Sequence, residues 1–463
     1  MGPDAITRPS RVFYTAAVVA DANHAVAPGA ILLEAGANAK ATPTLRVLAA
    51  GSPAEVASHP GADGASRIDL PTHAILPAFV NAHTHLDLTH VGYVAPVPEP
   101  ERRFLSFIEV VRKSRALEDA AIRASVEAGV QACLEGGVVA VGDIAGATQA
   151  KPNLAAARAL VQSDLGGACG GGVSFLEFFA IGSREDASRD FAQAAMAEAL
   201  ADDALKGRVG LSPHATNTVG PTTLRWALEM ASVGRFPLCT HVAETVAERE
   251  LITHARGPNR AFLEGLGLWN SALDHEFGQG RSPIAHLAWA IEGAKLESKP
   301  SWILAHCNDV SDADLDLLQA LGTSVDLTVA YCPRAGEYFA APDLLGPHRY
   351  REMLDRGINV ALGTDSLINL SPIPGEEGTR LSPIWDARLL CRRDGVDPFT
   401  LLSLLTTRGA CALAMDSNLF TFHGGIEPSP CAGLVAVDLS ADSGTSTHLL
   451  AKAFTGNAPP RLL

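Results

Sequence analysis

The chain has 463 residues, 47% of them hydrophobic and 19% charged, with a formal net charge of −15. That length suits a large barrel with a smaller attached domain, and the apolar fraction suffices for a large core. The acidic balance disfavours a phosphate backbone, no Lys/Arg-rich block occurs, and no apolar stretch reaches the roughly 18 residues that span a bilayer, so neither nucleic acid nor a membrane is an expected partner.

From 11 to about 73 the chain reads as short strands separated by Gly, Pro and Asn turns: VFYTAAVVA, AILLEAG, TLRVLAAG and SRIDL. From 74 the pattern changes. Apolar strand-like runs near 76, 140, 175, 210, 238, 303, 327 and 361 alternate with helix-like segments such as AAIRASVEAGVQACLEGG, RDFAQAAMAEALADDAL and DADLDLLQAL. Eight buried, parallel-type strands with helical crossovers predict a (β/α)₈ barrel, although alternation alone also fits a doubly wound sheet. After 415 strand-like runs return in LFTFHGGI, AGLVAVDLS and LLAKAFTG. The expected division is therefore 1–73 and 415–463 as the two halves of a small β-sandwich, and 74–414 as the barrel. The stretches 270–300 and 369–383 lengthen two connections and are expected to shape a pocket at the barrel mouth.

The eight cysteines are dispersed and form no C-x-x-C; Cys239, Cys307 and Cys332 fall in apolar runs. Reduced, buried thiols in a cytoplasmic protein are expected, not a disulfide frame. The N-terminal segment shows no basic stretch followed by an apolar core, so no signal peptide is expected.

The stretch NAHTHLDLTH carries His83 and His85 at the end of the first barrel strand. Residues i and i+2 of a strand point to the same side, so both imidazoles can face one point. His241 ends strand five in CTHVAET, His306 ends strand six in LAHC, and Asp365 ends strand eight in LGTDS. All five belong to the face of a barrel that carries chemistry, and closure brings strand eight against strand one. Three imidazoles and one carboxylate suit zinc or ferrous iron with a position left for water. Glu244, three residues past His241, is placed to carry a proton without being a ligand. Taken singly, each element has a plainer reading: H-x-H as two structural histidines, His306 as a packed core histidine, Asp365 as a helix cap. The shared order and strand positions favour the site.

Four further residues are candidates for contact with a substrate. His214 follows strand four and faces a substrate or braces the loop HATNTVG. Arg334 follows strand seven and binds a carboxylate or purine oxygen, or forms an ion pair. Asp87 and Glu177 contact substrate or fix the metal-binding groups from behind.

The motifs LPAFVNAHTHLD, LSPHAT, THVAET, LAHC and LGTDS, in this order, resemble the metal-dependent amidohydrolase superfamily over about 11–455. The resemblance implies a distorted (β/α)₈ barrel with a β-sandwich built from both termini. H-x-x-E after strand five, with no obvious carboxylated lysine, is similar to the mononuclear deaminase branch. It implies one divalent metal, zinc or alternatively iron, on His83, His85, His241 and Asp365, with Glu244, His306 and Asp365 catalytic. NAHTHLDLTH, HVAETVAEREL, AHCNDVSDADLDLL, YCPRAGEYF and VALGTDSL resemble the aminodeoxyfutalosine deaminases of menaquinone synthesis. In those enzymes C-P-R is usually followed by Ser, whereas Ala335 follows Arg334 here.

The resulting expectation is hydrolytic deamination of a purine-type amino-heterocycle or nucleoside with water as co-substrate. The same metal set also serves guanine, adenosine or S-adenosylhomocysteine deamination, triazine or chloro-heterocycle hydrolysis, and cyclic-amide hydrolysis. A barrel that lost its chemistry would lack ligands, and none is missing here. Apolar outer helices are compatible with a homodimer.

Overall fold

The computed structural model describes residues 10–37, 43–165, 171–373, 380–422, 428–440 and 443–463. Two eight-stranded sheets organise them. The first is built from both ends of the chain. It contains β1 (Ser10–Ala20), β2 (Ala25–Val26), β3 (Gly29–Ala37), β4 (Pro43–Gly51) and β5 (Ser66–Pro77) from the N-terminal part. The second is the barrel: β6 (Phe79–Thr84), β7 (Val138–Ala145), β8 (Gly172–Phe178), β9 (Val209–Pro213), β10 (Leu238–Val242), β11 (Ser301–His306), β12 (Asp326–Tyr331) and β13 (Asn359–Leu362). From the C-terminal part, β14 (Ser429–Pro430), β15 (Leu434–Asp438) and β16 (Pro460–Leu462) return to the first sheet. Its order is β14-β4-β3-β1-β5-β15-β16, with β2 on β1. Tyr14, Val19, Ile31, Val47, Ile75 and Leu434 pack together on one side of it.

Barrel strands pair in sequence order and in parallel. Covered on both faces, they read as apolar runs instead of alternating ones; all eight residues of β7 are buried. The crossover helices are one-sided. Helix Asp119–Glu135 buries Ile122, Ser125, Val126, Gly129, Val130 and Cys133, the 3–4 spacing of a single helical stripe. Closure joins the first strand to the last. Asn81 Nδ2 donates to Thr364 Oγ1 at 2.8 Å, and Thr364 N–H donates back to Asn81 Oδ1 at 3.1 Å. The amides of Thr364 and Asp365 both donate to the His83 carbonyl, at 3.0 and 3.1 Å.

Three local expectations are revised. The apolar run 74–80 is not one strand: Ala74–Pro77 belong to β5, Ala78 bonds the Gly433 carbonyl at 2.9 Å, and β6 begins at Phe79. LLAKAFTG is not a strand but the body of helix Ser446–Thr455, capped by Thr445 and burying Leu449, Leu450, Ala453 and Phe454. In the described part of LFTFHGGI, Leu419 and Phe420 close a 3₁₀ turn, Ser417–Phe420, opened by the Asp416 side chain, and Thr421 and Phe422 follow outside any strand; 423–426 lie outside the described residues. The 270–300 connection folds into short helices at Leu273–Glu276 and Pro283–Ala290, and within 369–383 residues 374–379 are outside the described set. Cys133, Cys239, Cys307, Cys332, Cys391, Cys411 and Cys431 are all free thiols, and Cys169 lies outside the described residues. Among the described residues, no helix is long and apolar enough to cross a membrane.

Candidate active site

The C-terminal ends of the barrel strands carry one continuous cluster. The ligand atoms of His83, His85 and His241 lie within 4.8 Å of one another, as do those of Glu244, His306 and Asp365. His85 Nε2 stands 3.4 Å from Asp365 Oδ1, joining the two groups, and His306 Nε2 stands 3.5 Å from Glu244 Oε1. The His83 ring centroid lies 5.0 Å from that of His241 and 5.4 Å from that of His306.

This geometry follows from how each strand ends. His83 is inside β6 and His85 is the first residue past it. Asp365 has φ of 60° and His306 a φ of 74°, both in the left-handed region that non-glycine residues rarely adopt. At both positions the chain turns abruptly off its strand and directs the side chain to the rim. Gly363 gives the backbone room to do so: a Cβ there would come within 2.8 Å of the His83 Cβ and 2.9 Å of Cys332 Sγ. Such strained positions concentrate at functional sites.

The donor set fits a divalent cation. His83 Nε2 is buried and has no hydrogen-bond partner among the described residues. An orphaned ring nitrogen in a buried cluster requires an explanation, and a cation supplies one. His241 Nδ1 lies 2.9 Å from the His214 carbonyl, which only accepts, so that nitrogen carries the proton and Nε2 keeps its lone pair. Burial, then the neighbouring imidazoles, push His83 well below the ordinary histidine range, so it is neutral, the form a metal takes. His85 and His306 are likewise pushed well down, by burial first and His241 next. Burial pushes Asp365 up to about 7.

Glu244 is raised well above the ordinary carboxylate range by burial, then by Asp365 and Glu248. That direction suits a group that donates and takes back a proton. Its loop is fixed from behind by the buried carboxylate of Glu248. That group accepts the Ala243 and Glu244 amides at 3.0 and 2.7 Å and the Thr216 hydroxyl at 2.5 Å. Glu248 was not anticipated from the sequence. Its signal is the T-x-x-E spacing from Thr245, which caps helix Val246–His254.

The substrate-side candidates divide. His214 reaches the cluster: its ring lies 5.1 Å from His241, Nε2 is 4.0 Å from Glu177 Oε1, and Phe179 packs on it at 4.4 Å. Thr218 Oγ1 fixes its Nδ1 at 2.7 Å, so the ring also braces its loop. Glu177 and Asp87 are buried and tied to Arg115, whose Nη1 donates to Glu177 Oε2 at 3.1 Å and whose Nε is 3.6 Å from Asp87 Oδ2. Burial would raise Glu177, but Arg115 and then the histidines outweigh it and hold it at about 2. Arg115 was also missed. It follows helix Pro100–Ser114 and fits because Gly146 has no side chain; a Cβ there would lie 2.0 Å from its Nη1.

Arg334 does not join the cluster. Its backbone amide, Nε and Nη2 donate to Asp386 at 3.0, 2.9 and 2.7 Å, and Nη2 also reaches the carbonyls of Arg380 and Ser382. It lines a separate cavity of about 630 Å³ together with Arg103, Tyr338, Asn369 and Trp385.

Comparison with known proteins agrees with this architecture. A 5-methylthioadenosine/S-adenosylhomocysteine deaminase from Haloarcula marismortui is 25% identical over 390 residues, 83% of this chain and 78% of its own. An aminodeoxyfutalosine deaminase from Deinococcus radiodurans is 28% identical over 334 residues, 69% of this chain and 71% of its own. The structure of an adenosine deaminase from Xanthomonas campestris with bound zinc superposes with a TM-score of 0.66 at 19% identity, covering 98% of this chain and 90% of that one. The model of the amidohydrolase family matches residues 74–461. The chain belongs to the amidohydrolase family, the metal-dependent hydrolases of carbon–nitrogen bonds.

Proposed function

We propose that this protein removes the exocyclic amino group of a purine-type nucleoside by hydrolysis, releasing ammonia. The observation that carries the reading is the meeting of His83, His85, His241 and Asp365 with Glu244 and His306 at one rim. His83, His85, His241 and Asp365 are the residues that would hold one divalent ion. Zinc suits three neutral imidazoles and a carboxylate, and iron is the alternative. Such an ion supplies the Lewis acidity that makes water a nucleophile at neutral pH.

The side chains do the rest. Asp365 accepts the proton of the attacking water. Glu244, held as the acid, gives its proton to the ring nitrogen beside the carbon under attack, so that this carbon accepts the new C–O bond. His306, facing Glu244, hydrogen-bonds the oxygen of the tetrahedral adduct. Protons then pass to the amino group, the C–N bond breaks and ammonia leaves. His214 after strand four, with Glu177 on strand three and Asp87 after strand one held behind it on Arg115, lines the approach. The barrel, which begins at Phe79 and not at 74 and runs to about 414, is the catalytic unit in this reading, supported by the flanking sheet from both ends of the chain.

Two related names support the substrate class: 5-methylthioadenosine/S-adenosylhomocysteine deaminase and aminodeoxyfutalosine deaminase. The test is ammonia release by purified protein of measured metal content. Aminodeoxyfutalosine, 5-methylthioadenosine, S-adenosylhomocysteine, adenosine and guanine form the panel. Turnover of at least one of the four nucleosides is expected; a fully metal-loaded protein inert to all four overturns the proposal, and turnover of guanine alone replaces it with deamination of a free base.

A further inference from the structure

His306 leaves its strand with φ of 74°, and Cys307 follows with φ of 50°. Two consecutive left-handed residues, neither of them glycine, persist only where surrounding groups hold them. The ladder from β11 to β12 ends at the pair Ala305↔Ala330, so the His306 carbonyl lies past its last rung. Among the described residues that carbonyl has one side-chain partner: His348 Nε2 stands 2.8 Å from it. A carbonyl only accepts, so the proton is on Nε2, and Nδ1 is left buried and without a partner among the described residues. Burial pushes His348 down to about 4, which keeps the ring neutral and this tautomer in place.

The ring of His348 is itself immobilised. It stacks on Tyr331 with centroids 3.7 Å apart and planes within 16°. The Tyr331 hydroxyl accepts from Arg393 Nη2 at 3.0 Å, and Arg393 is in turn anchored to Glu337 and Asp394. A braced stack on strand seven thus ends in a single donor aimed at the backbone of strand six, directly beneath the imidazole that faces Glu244.

We propose that His348 is a positioning residue for His306: its Nε2–H fixes the left-handed peptide that presents the His306 ring to Glu244 and the reacting centre. The proposal rests on the deaminase reading for the role of His306, but not for the geometry. Among the described residues, no hydrogen bond or ring contact joins His348 to the ring of His306 or to the proposed metal ligands. Its loss is therefore expected in kcat, with KM and metal content unchanged.

Two variants separate the hydrogen bond from the stack. H348F keeps an aromatic ring on Tyr331 and has no donor; H348Q keeps a donor and has no ring. Relative to wild type, H348F is expected to lose about 10- to 100-fold in kcat, the usual effect of removing a group that orients an active-site residue, whereas H348Q retains most of it. Crystal structures supply a readout independent of turnover: the His306 peptide relaxes out of the left-handed region in H348F and stays there in H348Q. H348F at the wild-type rate with His306 unmoved, or H348Q falling as far as H348F, overturns the proposal. Wild-type protein that releases no ammonia sinks the deaminase reading instead, and the two crystal structures still decide whether His348 holds His306.

Discussion

His85 Nε2 and Asp365 Oδ1 stand 3.4 Å apart across the seam where the first barrel strand meets the last. The Asp365 amide is bonded to the His83 carbonyl, so the seam that closes the barrel also sets this distance. Barrel closure and assembly of the candidate metal site are thus one structural event. Asp365→Asn keeps the backbone bonds and the shape but removes the anionic donor and the proton acceptor. Purified D365N is expected to hold less than one equivalent of metal by elemental analysis and to turn over about 10²–10⁴ times more slowly. Wild-type metal content together with wild-type rate would falsify both roles.

Glu244 calls for the opposite pattern. It lies 3.5 Å from His306, burial pushes its carboxyl up, and it stands outside the three-histidine group. Glu244→Gln is therefore expected to bind metal as the wild type does and to lose about 10²–10⁴ in kcat. Loss of metal in this variant instead makes Glu244 a ligand and requires a different acid.

The strand ends made most of this site legible in the sequence. His83, His85, His241, His306 and Asp365 each terminate an apolar run, and parallel barrel geometry alone brings such ends together. What holds them was hidden. Arg115 meets Glu177, and Glu248 meets Thr216, across loops whose conformation no local spacing fixes. Arg334 illustrates the same limit: an arginine at a strand end has the chemistry of a substrate ligand, yet its partner is Asp386, on a helix beyond the last strand. LLAKAFTG was misread because adjacent apolar residues fit either period. The Thr445 cap decides for helix, where the side chain accepts the His448 amide.

Glu248 carries a prediction about stability and rate together. It is 3% exposed and accepts three hydrogen bonds that hold the Glu244 loop. Glu248→Ala leaves the Ala243 and Glu244 amides and the Thr216 hydroxyl buried without their acceptor. A loss of about 2–4 kcal/mol is expected, since each buried orphan is worth about 1–3 kcal/mol and part of the loop relaxes. Denaturant unfolding measures it. The kcat of the folded fraction should also fall, because Glu244 is no longer held opposite His306. A variant with unchanged stability and rate shows that the loop is fixed by other contacts.

Glu276 carries a pH dependence that belongs to the 270–300 connection and is separable from the catalytic cluster. Burial, then repulsion from Glu185, raises it to about 7, and its Oε2 is buried without a partner among the described residues. The ordinary carboxylate value lies near 4.5. Below that value the group is protonated in both folded and unfolded chains and has no effect on stability. Between 4.5 and 7 the unfolded chain ionises while the folded one keeps its proton, so stability falls as pH rises. Above 7 both are ionised and the penalty is constant. Glu276→Gln removes the charge and with it the slope. The melting temperature of metal-loaded E276Q, relative to wild type, should therefore match near pH 4.5, climb above it through pH 7 and then hold a constant lead. The side chain is only part-buried, which caps the size of that lead through solvent screening but leaves its sign unchanged. A wild type more stable than E276Q at pH 8 would mean that the ionised carboxylate finds a partner in solution, and that repulsion from Glu185 does not govern this part of the rim.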